Sequence, residues 1–142
     1  DKFTMTAIEE VLKCYLDQKE AVQKIPTLRM LTRSVEEIKE KAMVCADRWN
    51  QEGASVQIQV EKCISKAGGG ALPETEIPSY GVALESTEIT VEEIESRMRN
   101  LSVPVIGRIK EGRFLLDMRT FSEEGIEYLA TQIRHVMERK HN

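Results

Sequence analysis

Apolar residues recur along this chain with two periods, and the change from one to the other marks its elements. Ile8, Leu12, Tyr15 and Leu16 follow at helical spacing behind Thr6-Ala7-Ile8-Glu9, a capping-box pattern, and predict a helix to about Asp17. The stretch "QKEAVQKIPTLRMLTR" is irregular, with at most a short helical turn that Pro26 breaks. A second capping box, Ser34-Val35-Glu36-Glu37, opens a helix whose apolar face is Val35, Ile38, Ala42, Cys45, Ala46 and Trp49, with Gly53 as its C-cap.

The period then shortens to two. Val56, Ile58 and Val60 alternate with Gln57, Gln59 and Glu61, and Tyr80, Val82 and Leu84 alternate with Ser79, Gly81 and Ala83. Between these strands lies "SKAGGGALPETEIP", with Gly68, Gly69 and Gly70 in a row. An ordinary hairpin needs one or two special residues, and long structureless connections are uncommon unless functional or disordered. Thr90-Val91-Glu92-Glu93 caps a helix lined by Val91, Ile94, Met98 and Leu101. "VPVIGRI" and "RFLLDMRTF" read as two more strands, joined at Lys110-Glu111-Gly112, where Gly accepts positive φ. Ser122 caps a last helix with Ile126, Leu129, Ile133 and Val136 on its buried stripe, and Arg134, Arg139 and Lys140 suit the negative end of its dipole.

The order helix, helix, strand, strand, helix, strand, strand, helix predicts an α+β two-layer sandwich: about four mostly antiparallel strands with helices on one face. Its 142 residues are one domain's worth of chain. With 41% hydrophobic and 31% charged residues the composition is that of a soluble globular protein. The net charge of −4 argues against a nucleic-acid binder of the usual basic kind, while leaving room for a local basic patch. The apolar runs are far short of the roughly 20 residues that span a membrane, and the N-terminus lacks the features of a signal peptide. Cys14, Cys45 and Cys63 are irregularly spaced and read as reduced structural thiols of a cytoplasmic protein. The opening residue is Asp rather than Met, which fits a piece of a longer protein and equally a processed terminus.

Familiar catalytic constellations are missing. His135 and His141 both lie in the last helix or the tail, no His/Cys cluster has metal-ligand spacing, and "AGGGAL" lacks the Lys-Ser/Thr of a phosphate loop. The residues that stand out are Arg108 and Arg119, placed on strands, where a guanidinium needs a partner. Asp117 shares a strand face with Arg119, so a structural ion pair is one reading; an anion held from outside by the two arginine forks is the other.

Three stretches, "IPTLRMLTRSVEEIKEKA", "GGGALPETEIPSYGVAL" and "VPVIGRIKEGRFLLDMRT", resemble bacterial L-seryl-tRNA(Sec) selenium transferase, and so does the opening "DKFTMTAIEEVLKCYLD". The resemblance covers essentially the whole chain, in order. It implies the small C-terminal domain of a fold-type-I pyridoxal-phosphate enzyme, with residues 1–33 as inter-domain helix and linker and residues 34–142 as the domain proper. That family converts seryl-tRNA(Sec) to selenocysteinyl-tRNA(Sec) with selenophosphate, as a homo-oligomer with active sites at subunit interfaces. The resemblance places the lysine that binds the cofactor upstream of this chain, and Lys2 is not that lysine. The expectation is therefore a fragment without catalytic residues, without metal, binding no pyridoxal phosphate and inactive alone. Its partners would be its own large domain, neighbouring subunits and, in the whole enzyme, the tRNA and selenophosphate.

By the same resemblance Arg119 matches the place of an arginine that often binds the substrate carboxylate in fold-type-I enzymes, with Arg108 as a second substrate-binding candidate. Because the carboxyl is esterified in seryl-tRNA, a structural role stands beside that one. Gly68, Gly69 and Gly70 are a candidate for closing over the active site or docking on the large domain, against a plain glycine-rich connection. Two other readings remain open: the small domain of a related pyridoxal-phosphate lyase or transferase acting on a small amino acid, and a non-catalytic α+β interaction module.

Overall fold

Asp1, not Thr6, starts the first helix. In the computed structural model, which describes residues 1–50, 56–67 and 76–137, the Asp1 carboxylate accepts the Phe3 N–H at 3.0 Å and caps α1 (Lys2–Cys14). Asp17, the expected helix end, instead caps α2 (Gln18–Lys24), accepting from the N–H groups of Lys19 at 2.8 Å and Glu20 at 3.1 Å. Pro26 ends that helix and opens α3 (Pro26–Thr32), where a first-turn proline loses no hydrogen bond. The stretch expected to be irregular is thus two short helices, since a short acidic side chain and a proline both serve as helix starts. These helices form one unit of the chain, Asp1–Ser34, and Val35–Asn142 forms the other. In the first unit only Ala21 is buried among the described residues, and the stripe Ile8, Leu12, Tyr15 and Leu16 is exposed, Leu16 by 88%.

The second unit follows the expected order. α4 (Val35–Asn50) buries Ile38, Ala42, Cys45, Ala46 and Trp49. β1 (Val56–Lys66) and β2 (Glu76–Ser86) pair antiparallel from Val56↔Ser86 to Lys66↔Glu76, longer than their alternation suggested. Thr90 caps α5 (Val91–Arg99), accepting the Glu93 N–H at 3.3 Å, and Ile94 and Met98 turn inward. β3 (Arg108–Lys110) and β4 (Arg113–Asp117) meet at Glu111-Gly112, whose φ values of 51° and 76° are those of a two-residue mirror-image hairpin turn. α6 (Glu123–Met137) buries Ile126, Leu129, Ile133 and Val136 as expected.

The sheet order is β1-β2-β4-β3, with all pairs antiparallel. α4 packs on β1 and β2, α5 on β3 and β4, and α6 beside both helices. Ile58, Val82, Leu84, Phe114 and Leu116 meet these helices in one core, the α+β sandwich that the pattern predicts.

Two expected strands are shorter than their sequences suggested. Residues 103–107 are not strand: the Val103 N–H goes to the Tyr128 hydroxyl at 3.1 Å, the Val105 N–H goes to the Met98 carbonyl at 3.0 Å, and Pro104 has none. β4 stops at Asp117, so Arg119 sits in the turn that follows and not on a strand.

The sheet also curls on the side away from the helices. Glu61 of β1 meets Arg113 at 2.7 Å and Lys110 of β3 at 3.5 Å, although β1 and β3 are opposite edges of the sheet. Three strand spacings span about 14 Å when flat, and side chains stand roughly perpendicular to a sheet, so these contacts, with Arg108 of β3 on the Ile64 carbonyl of β1 at 2.8 Å, require the edges to bend toward each other. Cys63, Ala83 and Leu115 form a small second core inside the bend. This explains the inverted burial along β1: Ile58 is buried on the helix side, Cys63 and Ser65 on the other. Gly53, Gly68, Gly69, Gly70, Arg139, Lys140 and His141 lie outside the described residues.

Candidate functional site

The polar residues buried in this domain gather where β1 and β2 approach their connection. Ser65 and Ser79, from the two strands, are both buried, and both donate their hydroxyls to Asp117 at the end of β4, at 2.5 and 2.7 Å. Asp117 also accepts the backbone N–H of Arg119 at 3.1 Å. The carboxylate therefore ties three segments together. It meets Arg119 through the main chain, so the side-chain ion pair suggested by strand alternation is replaced by a turn contact.

Arg119 is 3% exposed, and its Nη2 donates to the Pro78 carbonyl at 2.6 Å. Two residues along the same edge of β2, the Tyr80 carbonyl takes the Met118 N–H at 3.1 Å. The guanidinium thus supplies the next rung of the β2–β4 ladder after β4 has turned away. Pro78, with no N–H, is suited to a ladder position where none is needed.

Arg108 crosses the bend from β3, and its Nη2 donates to the Ile64 carbonyl at 2.8 Å. Ile64 and Pro78 are register partners, so the two arginines picked out in the sequence act on one rung of one hairpin. The structure brings Arg108 and Arg119 to the same end of the sheet, the end from which the chain runs into the stretch carrying Gly68, Gly69 and Gly70.

Gly81 allows this packing. A Cβ there would lie 2.6 Å from Leu115 Cδ1 and 2.8 Å from the Leu116 carbonyl. Cys63 sits in the same layer; burial pushes its thiol pKa up, with the Asp117 charge adding to the effect and Arg108 opposing it. No group of three or more His, Cys, Asp or Glu side chains among the described residues is arranged to hold a metal ion.

Sequence reasoning missed Ser65, Ser79 and the basic groove beside them. That groove, about 390 Å³, is lined by Lys62, Cys63, Ile64, Lys66, Arg108 and Lys110. Its signal was present: Lys62 and Lys66 alternate with Cys63 and Ser65, a polar-out pattern continuing the strand past Glu61.

Over residues 1–122 the chain matches the family model of L-seryl-tRNA selenium transferase. It is 40% identical over 134 residues to the L-seryl-tRNA(Sec) selenium transferase of Geobacter metallireducens, covering 94% of this chain and 29% of that protein. The enzymes of the same name from Alkaliphilus oremlandii and Desulfotalea psychrophila are 36% and 38% identical, over 97% and 92% of this chain. The chain spans 28 to 30% of the length of these relatives.

Proposed function

The chain belongs to the L-seryl-tRNA selenium transferase family, and we propose that it is the C-terminal domain of a cytoplasmic, pyridoxal-phosphate-dependent enzyme that makes selenocysteinyl-tRNA(Sec) from seryl-tRNA(Sec) and selenophosphate. The observation that carries this reading is an identity of 36 to 40% to three such enzymes over nearly all of this chain, against under a third of theirs.

In this reading the catalytic centre lies on the larger portion of the enzyme. Bound pyridoxal phosphate would supply the electron withdrawal that lets the seryl hydroxyl leave. The described residues do not fit that cofactor. Among the described residues Lys41 is the most enclosed lysine, its side chain 12% exposed, and it donates to the Phe121 carbonyl and faces Glu123 at 4.0 Å. Lys2 stands exposed on α1.

The domain's own part is positional. Arg119 and Arg108 fix the root of the β1–β2 hairpin, and Gly68, Gly69 and Gly70, which follow that root in the sequence, are the candidate for closing over the active site or docking on the large domain. The exposed stripe of Met5, Ile8, Leu12 and Leu16 on α1 is where the rest of the enzyme covers the chain, because an amphipathic helix is stable when its apolar side has a partner.

The test compares full-length protein with the 142-residue chain. The full-length protein should take up pyridoxal phosphate with the yellow absorbance of a lysine-bound cofactor and form selenocysteinyl-tRNA, and the chain alone should do neither. A chain that turns yellow by itself, or a full-length protein that leaves seryl-tRNA unchanged with selenophosphate present, overturns the reading.

A further inference from the structure

The groove between the two bent edges of the sheet has an unbalanced charge. Lys62, Lys66, Arg108 and Lys110 line it with Cys63 and Ile64, and no acidic side chain does among the described residues. This occurs in a chain whose net charge is −4, so the cations are concentrated rather than typical. Lys110 shares Glu61 with Arg113. Arg108 spends one nitrogen on a neutral carbonyl. Lys62 and Lys66 are exposed and have no carboxylate partner among the described residues.

The spacing distinguishes one kind of anion from another. Lys62, Ile64 and Lys66 stand on one face of β1, and four residues of strand separate the two lysine Cα atoms by about 13 Å. That is too wide for a single phosphate group and suits a string of them. A solvated surface would intersperse acids, as the helices do at Glu93–Arg97 and Glu95–Arg99. Here Lys62 and Lys66 on the edge strand have no ion pair among the described residues, and Arg108 and Lys110 of β3 line the same groove.

We propose that this groove, built from Lys62, Lys66, Arg108 and Lys110, is a binding surface for the phosphodiester backbone of RNA. The choice of tRNA as its occupant rests on the function proposed above. The recognition is electrostatic and positions the nucleic acid without reading bases, since no aromatic residue among the described ones lines the groove for stacking.

The experiment titrates the 142-residue chain with labelled, unacylated tRNA(Sec) across a salt series. The parent chain should bind, with log affinity falling linearly against log salt. Lys62→Gln/Lys66→Gln should lower that slope by about 1.5 and weaken binding on the order of tenfold or more near 0.1 M salt. Lys62→Arg/Lys66→Arg should bind like the parent. Lys13→Gln/Lys24→Gln makes the same change in net charge at lysines already paired with Glu9, Glu10 and Glu20, and should leave the slope unchanged. A parent that does not bind tRNA, or a groove variant with the parent's slope and affinity, overturns the proposal. So does a groove variant that only self-associates, the mark of lysines that merely protect a strand edge. The function reading has its own readout in the full-length enzyme. A raised KM for tRNA at unchanged kcat in Lys62→Gln/Lys66→Gln supports the groove. An enzyme that transfers no selenium, beside a chain that binds tRNA through these lysines, removes that reading and leaves the groove standing.

Discussion

Arg108 and Arg119 hold opposite sides of a single rung: Ile64 and Pro78 face each other across β1 and β2, and each gives its carbonyl to one arginine, at 2.8 and 2.6 Å. In a non-hydrogen-bonded antiparallel pair both carbonyls point outward, which leaves them open to side chains from either flank. One arginine comes from the far edge of the curled sheet and the other from the turn after β4. The hairpin is clamped just before it enters its long connection.

Arg119 is predicted to be a stability residue of this domain. Arg119→Ala should lower the unfolding free energy by about 2–3 kcal/mol, since a charge-assisted bond inside the protein is lost and the Pro78 carbonyl is left without its donor. Arg119→Lys should recover only part of this, because an ammonium cannot reproduce the guanidinium fork. Urea unfolding followed by Trp49, the chain's single tryptophan and fully buried, measures it. Unchanged stability in Arg119→Ala, with activity lost in the full-length enzyme, would instead assign the residue to substrate.

Asp117 should be nearly as sensitive. Asp117→Asn keeps the shape but replaces one acceptor oxygen with a donor, against the Ser65 and Ser79 hydroxyls and the Arg119 N–H. A loss of about 1–2 kcal/mol is expected, and Ser79→Ala combined with Asp117→Asn should cost less than the sum of the two singles. Strict additivity in that double-mutant cycle would argue against the shared network.

Gly81→Ala tests the tightness of the bend. The added methyl meets Leu115 Cδ1, which can rotate, and the Leu116 carbonyl, which is main chain and cannot give way cheaply. Destabilisation by about 1–3 kcal/mol is expected. Gly112→Ala, where nothing lies within 4 Å of the new carbon, has only its φ of 76° against it and should lose less. Equal losses at the two sites would contradict the close packing.

The buried thiols give a pH dependence with a definite sign. Burial pushes Cys45 up from 9.0 to about 11. Below pH 9 both folded and unfolded chains keep the proton, and the contribution to stability is complete. Between pH 9 and about 11 the unfolded chain ionises first, so stability falls as pH rises, by up to about 2 kcal/mol. Cys45→Ala should flatten that part of the curve relative to the parent, as seen in thermal melts from pH 8 to 11. At neutral pH a thiol reagent should label the partly exposed Cys14 at once, and the buried Cys45 and Cys63 only as the chain unfolds. Fast labelling of all three would place the two buried thiols elsewhere.

Much of the architecture was legible because its signals are local. Thr90 and Ser122 cap as their sequences imply, and Ile94, Met98, Ile126, Leu129 and Ile133 face inward at the spacing that predicts it. Residues 18–32 were misread because Asp17 and Pro26 are as much helix starts as breakers, and a window without apolar periodicity does not separate the two. "VPVIGRI" looks like a strand on composition, yet Tyr128 and Met98, distant in sequence, take its first N–H groups.

The candidate site was only half legible. Arg108 and Arg119 stood out because charge in a strand-like sequence demands a partner, but the sequence did not name Ile64 and Pro78 as those partners. Ser65 and Ser79 carry no signal of their own. They become a site only when Asp117 arrives between them, 52 and 38 residues along the chain.

By itself the sequence determined α4, α5 and α6 with their buried faces, the strand order along the chain, the tight turn at Gly112 and the family, each of which depends on neighbouring residues or on direct likeness. Tertiary structure alone decided the curl of the sheet, the clamped rung and the basic groove. Those depend on Gly81 letting Leu115 close onto β2, and on β1 and β3 meeting across the bend. Residues far apart in the chain share no local pattern, so their proximity is written only in the packing.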